Sequence, residues 1–231
     1  MSDYGKPPVS LGSFTPEWEE FMHYLYLPVR MPGSDFRLPP NLDFMRAALW
    51  RAVSDCWVAS VHPNRWLPYV YVSAVRGFAT PGNPLNRPGW HCDDFGGEDI
   101  NYIWSDRYPT RFLQLAEGSG VKLGIPADDQ ESMTAFDWLA ANASKSYPEL
   151  SIETYPDSTI LRLDPYVIHT TPVIPAPGGM RSFFKISLSE HRYNLRGNSH
   201  NHLFDYDWPM HDRAVVRNQQ DGPQDYVEDT G

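Results

Sequence analysis

The stretch Pro88-Gly-Trp-His-Cys-Asp-Asp-Phe-Gly-Gly97 sets a histidine and two carboxylates within four residues of one another. Imidazole nitrogen and carboxylate oxygen together are metal-ligand chemistry. On an extended backbone side chains alternate, so His91 and Asp93 share a face while Cys92 and Asp94 point away. Alternation therefore selects Asp93 as the partner of His91. It leaves Asp94 a structural role and Cys92 that of a packed thiol. Two ligands make a poor site, and a third is expected from another strand. His169, in Asp164-Pro-Tyr-Val-Ile-His-Thr-Thr-Pro-Val173, is the candidate. Two imidazoles and one carboxylate with the remaining positions open suit Fe(II) in oxygen chemistry, and an open zinc site can use the same trio.

Twelve residues beyond His169, Arg181 opens the apolar run RSFFKIS. A guanidinium there needs an anion, and its planar fork fits a carboxylate. Lys185 falls on the same alternation face as Arg181 and is a second candidate for carboxylate binding.

The elements that must position these groups are mostly strands. Leu67 to Phe78 is β-branched and aromatic, as are Asp99–Trp104 and Thr110–Leu115. Short runs at Ser151–Tyr155, Thr159–Leu163, Val167–Val173 and Arg181–Leu188 are parted by turn residues, the pattern of a sandwich or barrel. Two helices flank them. One begins near Asn41, a candidate N-cap, with Leu42, Met45, Leu49, Val53 and Cys56 on one face; the other spans residues 128–144 with Met133, Phe136 and Leu139 or Ala140 inward. A further short helix is expected from Glu17 to Tyr26. The polar segment from Gly197 onward reads as an extended or partly disordered arm. The expected organisation is one domain, with an N-terminal helical and loop layer over 1–66, a β core over 67–190 and a C-terminal extension over 191–231.

Composition narrows the function classes. The 231 residues are 41% hydrophobic and 14% aromatic, enough for a core, while 22 prolines argue for connections and strands over a helical bundle. A net charge of −10 disfavours a nucleic-acid surface, so a small-molecule or peptide substrate is expected instead. No run has membrane-spanning length and the N-terminus lacks the pattern of a signal peptide. With only two cysteines, Cys56 and Cys92, a reduced cytoplasmic protein is expected. The histidines at 200, 202 and 211 read as a solvated polar tail. Arg107 and Arg111 read as ordinary surface arginines near the presumed mouth.

The order His91-x-Asp93, His169, Arg181 resembles the Fe(II)/2-oxoglutarate-dependent dioxygenase superfamily, in particular its phytanoyl-CoA and prolyl-hydroxylase-type branches. The flanks LPYVYVSAVRGFATPG and YPDSTILRLDPYVIHTTPV are similar too, and the likeness runs over roughly residues 67–190. The resemblance implies a mainly β fold, a double-stranded β-helix (jelly roll) with flanking helices. His91, Asp93 and His169 would hold iron and Arg181 the far carboxylate of 2-oxoglutarate. O2 would then be used to hydroxylate a substrate, releasing succinate and CO2. Many members carry Ser two residues after the arginine, where this chain has Phe183. A second carboxylate partner is then expected from Tyr102, Trp104, Thr110 or Lys185. Two other readings stay open at this point: a non-catalytic cupin-like binding or structural protein, and a zinc-dependent hydrolase on the same three ligands.

Overall fold

In the computed structural model, residues 4–59, 68–94, 97–119, 121–125 and 129–213 are described. They form nine strands and two α-helices: β1 (Val9–Ser13), β2 (Met22–Arg30), α1 (Arg46–Ala59, entered through a 3-10 turn at Pro40–Met45), β3 (Tyr69–Ala79), β4 (Ile100–Ser105), β5 (Arg111–Leu115), α2 (Asp129–Asn142), β6 (Leu150–Thr154), β7 (Thr159–Leu163), β8 (Ile168–Thr170) and β9 (Gly179–Ser189). Six strands make one sheet in the order β1-β7-β4-β9-β3-β2, and three make another in the order β6-β5-β8. Every pairing between these strands is antiparallel.

Alternation along β9 shows how the layers arise. Phe184, Ile186 and Leu188 point to one side and pack with Leu42, Met45 and Leu49 beneath α1. Phe183 points to the other, joining Ile103, Leu161 and Leu163 of the large sheet with Phe112 of the small one. On β5, Phe112 faces this shared interior while its neighbour Leu113 packs with Ile168 and Leu150 against Phe136, Leu139 and Ala140 of α2. The order of layers is helix, sheet, sheet, helix, each apolar face meeting another. Burying one Leu or Phe side chain contributes about 2 kcal/mol, so these three clusters dominate the fold's stability.

The structure departs from the sequence reading in four places. The segment expected to be helical from Glu17 to Tyr26 instead enters strand β2, which pairs with β3 from Met22↔Arg76 to Arg30↔Val70. Its aromatic residues fit helical and extended spacings alike, and burial of Leu27 and Val29 against the α1 cluster decides for the strand. Strand β1 had no distinct signal and pairs along β7. Asn41 does not cap α1: it lies inside the 3-10 turn, and its amide donates to Tyr24 Oη at 2.9 Å. The C-terminal extension is folded as far as residue 213. Asn201 is buried, its amide donating to the carbonyls of Pro28 (2.8 Å) and Arg37 (2.9 Å), and Phe204 is buried beside it. The expectation for residues 214–231 lies outside the described residues. Neither Cys56 nor Cys92 is in a disulfide. Among the described residues no helix is long and apolar enough to cross a membrane.

Candidate metal centre

His91 and His169 face each other across a single antiparallel bridge. Their backbones exchange two hydrogen bonds, N–H of His91 to O of His169 at 3.0 Å and the reverse at 2.9 Å. Directly opposed residues of such a pair place their side chains on one face, and here the imidazole centroids are 4.5 Å apart. His169 also opposes Phe112 on β5, so the face in question is the interior between the sheets. Asp93 follows two residues after His91 and joins them: one ligand atom from each of the three side chains lies within 4.8 Å of the others.

Both rings are oriented the same way. Nδ1 of His91 meets the carbonyl of Gly89 at 2.9 Å, and Nδ1 of His169 meets that of Val167 at 3.0 Å. A carbonyl only accepts, so each Nδ1 carries the proton and each Nε2 keeps its lone pair for the interior. Gly89 can turn its carbonyl to His91, and to the Thr170 hydroxyl that also donates to it at 2.9 Å, because its φ is +99°.

Burial holds the His169 imidazolium off, lowering its pKa to about 4, with His91 acting in the same direction. Burial pushes the carboxyl of Asp93 upward, but the Lys185 ammonium and the two histidines outweigh it and hold Asp93 well below the usual carboxylate range. The lysine in turn loses to burial and gains more from Asp93, ending above its ordinary value. A neutral imidazole and an ionised carboxylate are the protonation states a divalent cation requires.

Lys185 reaches this centre from β9. Its Nζ donates to Asp93 Oδ2 at 2.8 Å and to Tyr26 Oη at 3.4 Å, and sits 5.3 Å from the centroid of the Tyr26 ring. Tyr26 arrives there through a bulge in β2. Two residues, Leu25 and Tyr26, oppose Ser73, whose hydroxyl accepts from the Tyr26 N–H at 2.9 Å. The Tyr26 φ of 47° lies in the left-handed region that tyrosine rarely adopts. Such bulges re-aim side chains beside functional sites. Nothing in the sequence announces it, since tyrosine in a strand carries no mark of a left-handed bulge.

Arg181 is fully buried at the other end of the same face of β9. Its Nη1 donates to the carbonyl of Pro84 at 3.0 Å and to Asn86 Oδ1, and its Nε to the carbonyl of Tyr108 at 3.3 Å. Nη2 has no hydrogen-bond partner. Burial lowers the guanidinium pKa to about 10 against the pull of Asp106 and Asp157, which leaves it cationic at neutral pH.

Tyr102 and Trp104 are not brought to this interior. They occupy alternation positions on the α1 side of β4. There the Tyr102 hydroxyl donates to Asp55 Oδ2 at 2.8 Å, and the Trp104 indole donates to the Phe14 carbonyl at 2.8 Å. Asp55 is shared with Arg162 at 2.8 Å. Thr110 and Phe183 do line a cavity of about 910 Å³ that contains His91, Asp93, His169 and Lys185. Asp94 shapes the loop: at φ 52° its Oδ2 accepts from the Asp99 N–H at 2.9 Å and its carbonyl from that of Gly97 at 2.8 Å. Cys92 packs with Trp90 in the cluster under α2. The rings of His200 and His202 lie beside one another, 4.8 Å between centroids, but among the described residues only His91, Asp93 and His169 bring three metal-ligating groups together.

No protein-family model matches the chain, and no curated protein matches it in sequence. Among solved structures it is similar to HygX from Streptomyces hygroscopicus, determined with nickel and 2-oxoglutarate bound. The identity is 13%, covering 80% of this chain and 79% of that one, with a TM-score of 0.31, a superposition too loose to carry weight.

Proposed function

We propose that the protein is an Fe(II)- and 2-oxoglutarate-dependent oxygenase on a double-stranded β-helix, hydroxylating a small-molecule or peptide substrate in the cytoplasm. The convergence of His91, Asp93 and His169, with both Nε2 lone pairs turned inward, carries the reading. These three would hold the iron. When bound, iron with O2 and 2-oxoglutarate supplies the oxidation, yielding succinate, CO2 and the hydroxylated substrate.

The chain's own residues fit those two groups. Two imidazoles and one carboxylate form a mixed nitrogen–oxygen set suited to Fe(II). Arg181 is not among the residues that line the cavity; its Nη2, buried without an acceptor, would be satisfied by a carboxylate that reached it from there. Thr110, buried in the cavity wall, offers a hydroxyl as a second donor where the family pattern has serine and this chain has Phe183. Phe183, Phe112 and Ile103 keep the interior apolar, which excludes water and strengthens the electrostatics around a bound dianion.

One observation favours a second reading. The Lys185 ammonium already neutralises Asp93, as a resident cation would, so a metal-free binding protein of the same fold is the rival. The two part on one measurement. Under anaerobic conditions, saturating Fe(II) or Mn(II) at about 100 times Kd should stabilise the fold by about 2.7 kcal/mol. In a chain of this size that raises Tm by roughly 5–10 °C. 2-Oxoglutarate should add to the shift, and His91→Ala should remove both increments. A parent protein whose Tm ignores metal and cosubstrate, and which forms no succinate, sinks the oxygenase reading in favour of its rival.

A further inference from the structure

The cavity is charged opposite to the chain. The protein carries 29 acidic residues against 19 Lys and Arg. Yet the described residues lining the cavity include four cations, Arg76, Arg87, Lys185 and Arg213, and two carboxylates, Asp93 and Asp94. Asp93 is paired with Lys185 and the Asp94 carboxylate accepts from the neutral Asp99 N–H, which leaves three arginines against one carboxylate. The three arginines are held by neutral groups. Arg76 Nη1 donates to the Ser182 hydroxyl at 3.3 Å, Arg87 Nη2 to the Met133 sulfur at 3.6 Å, and Arg213 Nη2 to Asn198 Oδ1 at 2.6 Å. Partners of that kind aim a guanidinium without discharging it. Elsewhere Arg46 and Arg162 are matched with Asp43 and Asp55, so carboxylate pairing is within the chain's means.

A concave site in which one sign of charge prevails concentrates ligands of the other sign, and planar guanidinium groups suit carboxylate and phosphate oxygens. The same cavity is also lined by apolar Met22, Leu25, Leu85 and Phe183, and about 910 Å³ accommodates a ligand near the upper end of ordinary small-molecule size. We propose that the substrate is an amphipathic small-molecule anion. Its apolar body lies along these side chains and its carboxylate or phosphate head is held by Arg76, Arg87 and Arg213. The proposal rests on the oxygenase reading for which end reacts, and on the cavity alone for the anion.

A fluorescent pair tests it: anilinonaphthalene sulfonate, an apolar body with an anionic head, and the uncharged phenylnaphthylamine. The sulfonate should bind the full-length protein saturably, and the neutral probe more weakly by at least tenfold. Arg76→Gln and Arg87→Gln should each weaken sulfonate binding about tenfold, the loss of one charge-assisted contact. Arg87→Lys, which keeps the charge, should retain most of the binding, and an unchanged near-ultraviolet circular dichroism spectrum shows each variant folded. Equal binding of the two probes, indifference of the sulfonate to both substitutions, or no binding at all overturns the proposal. So does displacement of the probe by 2-oxoglutarate in an arginine-dependent manner, which would assign these arginines to the cosubstrate. Metal is not needed for this binding. A protein that holds the sulfonate through its arginines but shows no metal-dependent rise in Tm therefore keeps the anion site and loses the oxygenase.

Discussion

Replacing Lys185 by methionine isolates the electrostatics of the centre. Lys185 and Asp93 form an ion pair of 2.8 Å with side chains only 12% and 15% exposed, so the substitution leaves a carboxylate buried without its counter-charge. Breaking such a pair from one side costs about 3–5 kcal/mol. For a chain of this size that is a fall in Tm of roughly 6–20 °C. A divalent ion at His91, Asp93 and His169 neutralises the same carboxylate, so most of the loss should return when Mn(II) is saturating. By linkage, the variant must then bind the ion more tightly than the parent, by the stability regained. Differential scanning fluorimetry on parent and Lys185→Met, each with and without Mn(II) under anaerobic conditions, closes the cycle. An equal drop in both conditions would show that the lysine supports the fold without reference to the ion, and no drop in either would show that Asp93 is not held ionised by it.

Three further outcomes are expected. Arg181→Met should cost about 3 kcal/mol by stranding the acceptors at Pro84, Asn86 and Tyr108. It should also abolish the 2-oxoglutarate increment in Tm while the increment from metal alone survives; retention of the cosubstrate increment refutes the role given to Nη2. Tyr102→Phe removes one hydrogen bond to Asp55, worth about 1–2 kcal/mol of stability, and should leave the 2-oxoglutarate increment untouched, as its place under α1 requires. Asp99 bears on pH. Burial, with the Asp94 charge second, raises its pKa to about 7, so the folded state holds this proton more tightly than the unfolded chain. Stability is therefore lost as pH rises from the ordinary carboxylate range through about 7, by a few kcal/mol at most. Asp99→Asn should flatten that slope, gaining on the parent between about pH 5 and pH 8 in thermal denaturation; a constant Tm difference across that range contradicts it.

The parts of this protein that were legible in its sequence are those governed by local periodicity. Leu42 and Met45 in the 3-10 turn and Leu49 in α1 face one way because their three- and four-residue spacing puts them there, and all three are buried. The strands around His169 and Arg181 are bounded by turn residues that any extended chain needs. Asp93 and not Asp94 joins the two histidines, as expected, but not through strand alternation: the chain turns at Asp93-Asp94, and Cys92 and Asp94 also line the cavity. What the sequence did not disclose is set by partners distant along the chain. Tyr102 and Trp104 carry no label saying which face of β4 meets α1. The start of strand β2 read as a helix, and only its pairing with β3 decides otherwise; the Tyr26 bulge exists because Ser73 and Ser199 hold the backbone N–H groups of residues 26 and 25. The arginines of the cavity come from β3, the loop after it and the last described turn, and only tertiary folding gathers them.

The bridge between His91 and His169 also bears on when the protein can take up an ion. Two ligands that oppose one another across a ladder come together only after a long intervening segment has closed, and their separation is dictated by the strand spacing. A slip of one residue in that register would turn an imidazole out of the interior. A growing chain on the ribosome therefore presents His91 and Asp93 long before it presents a site, and a partly folded or misregistered chain offers no three-ligand cage. Any ion held by these three side chains would therefore bind only a correctly assembled molecule, after the His91–His169 bridge has closed.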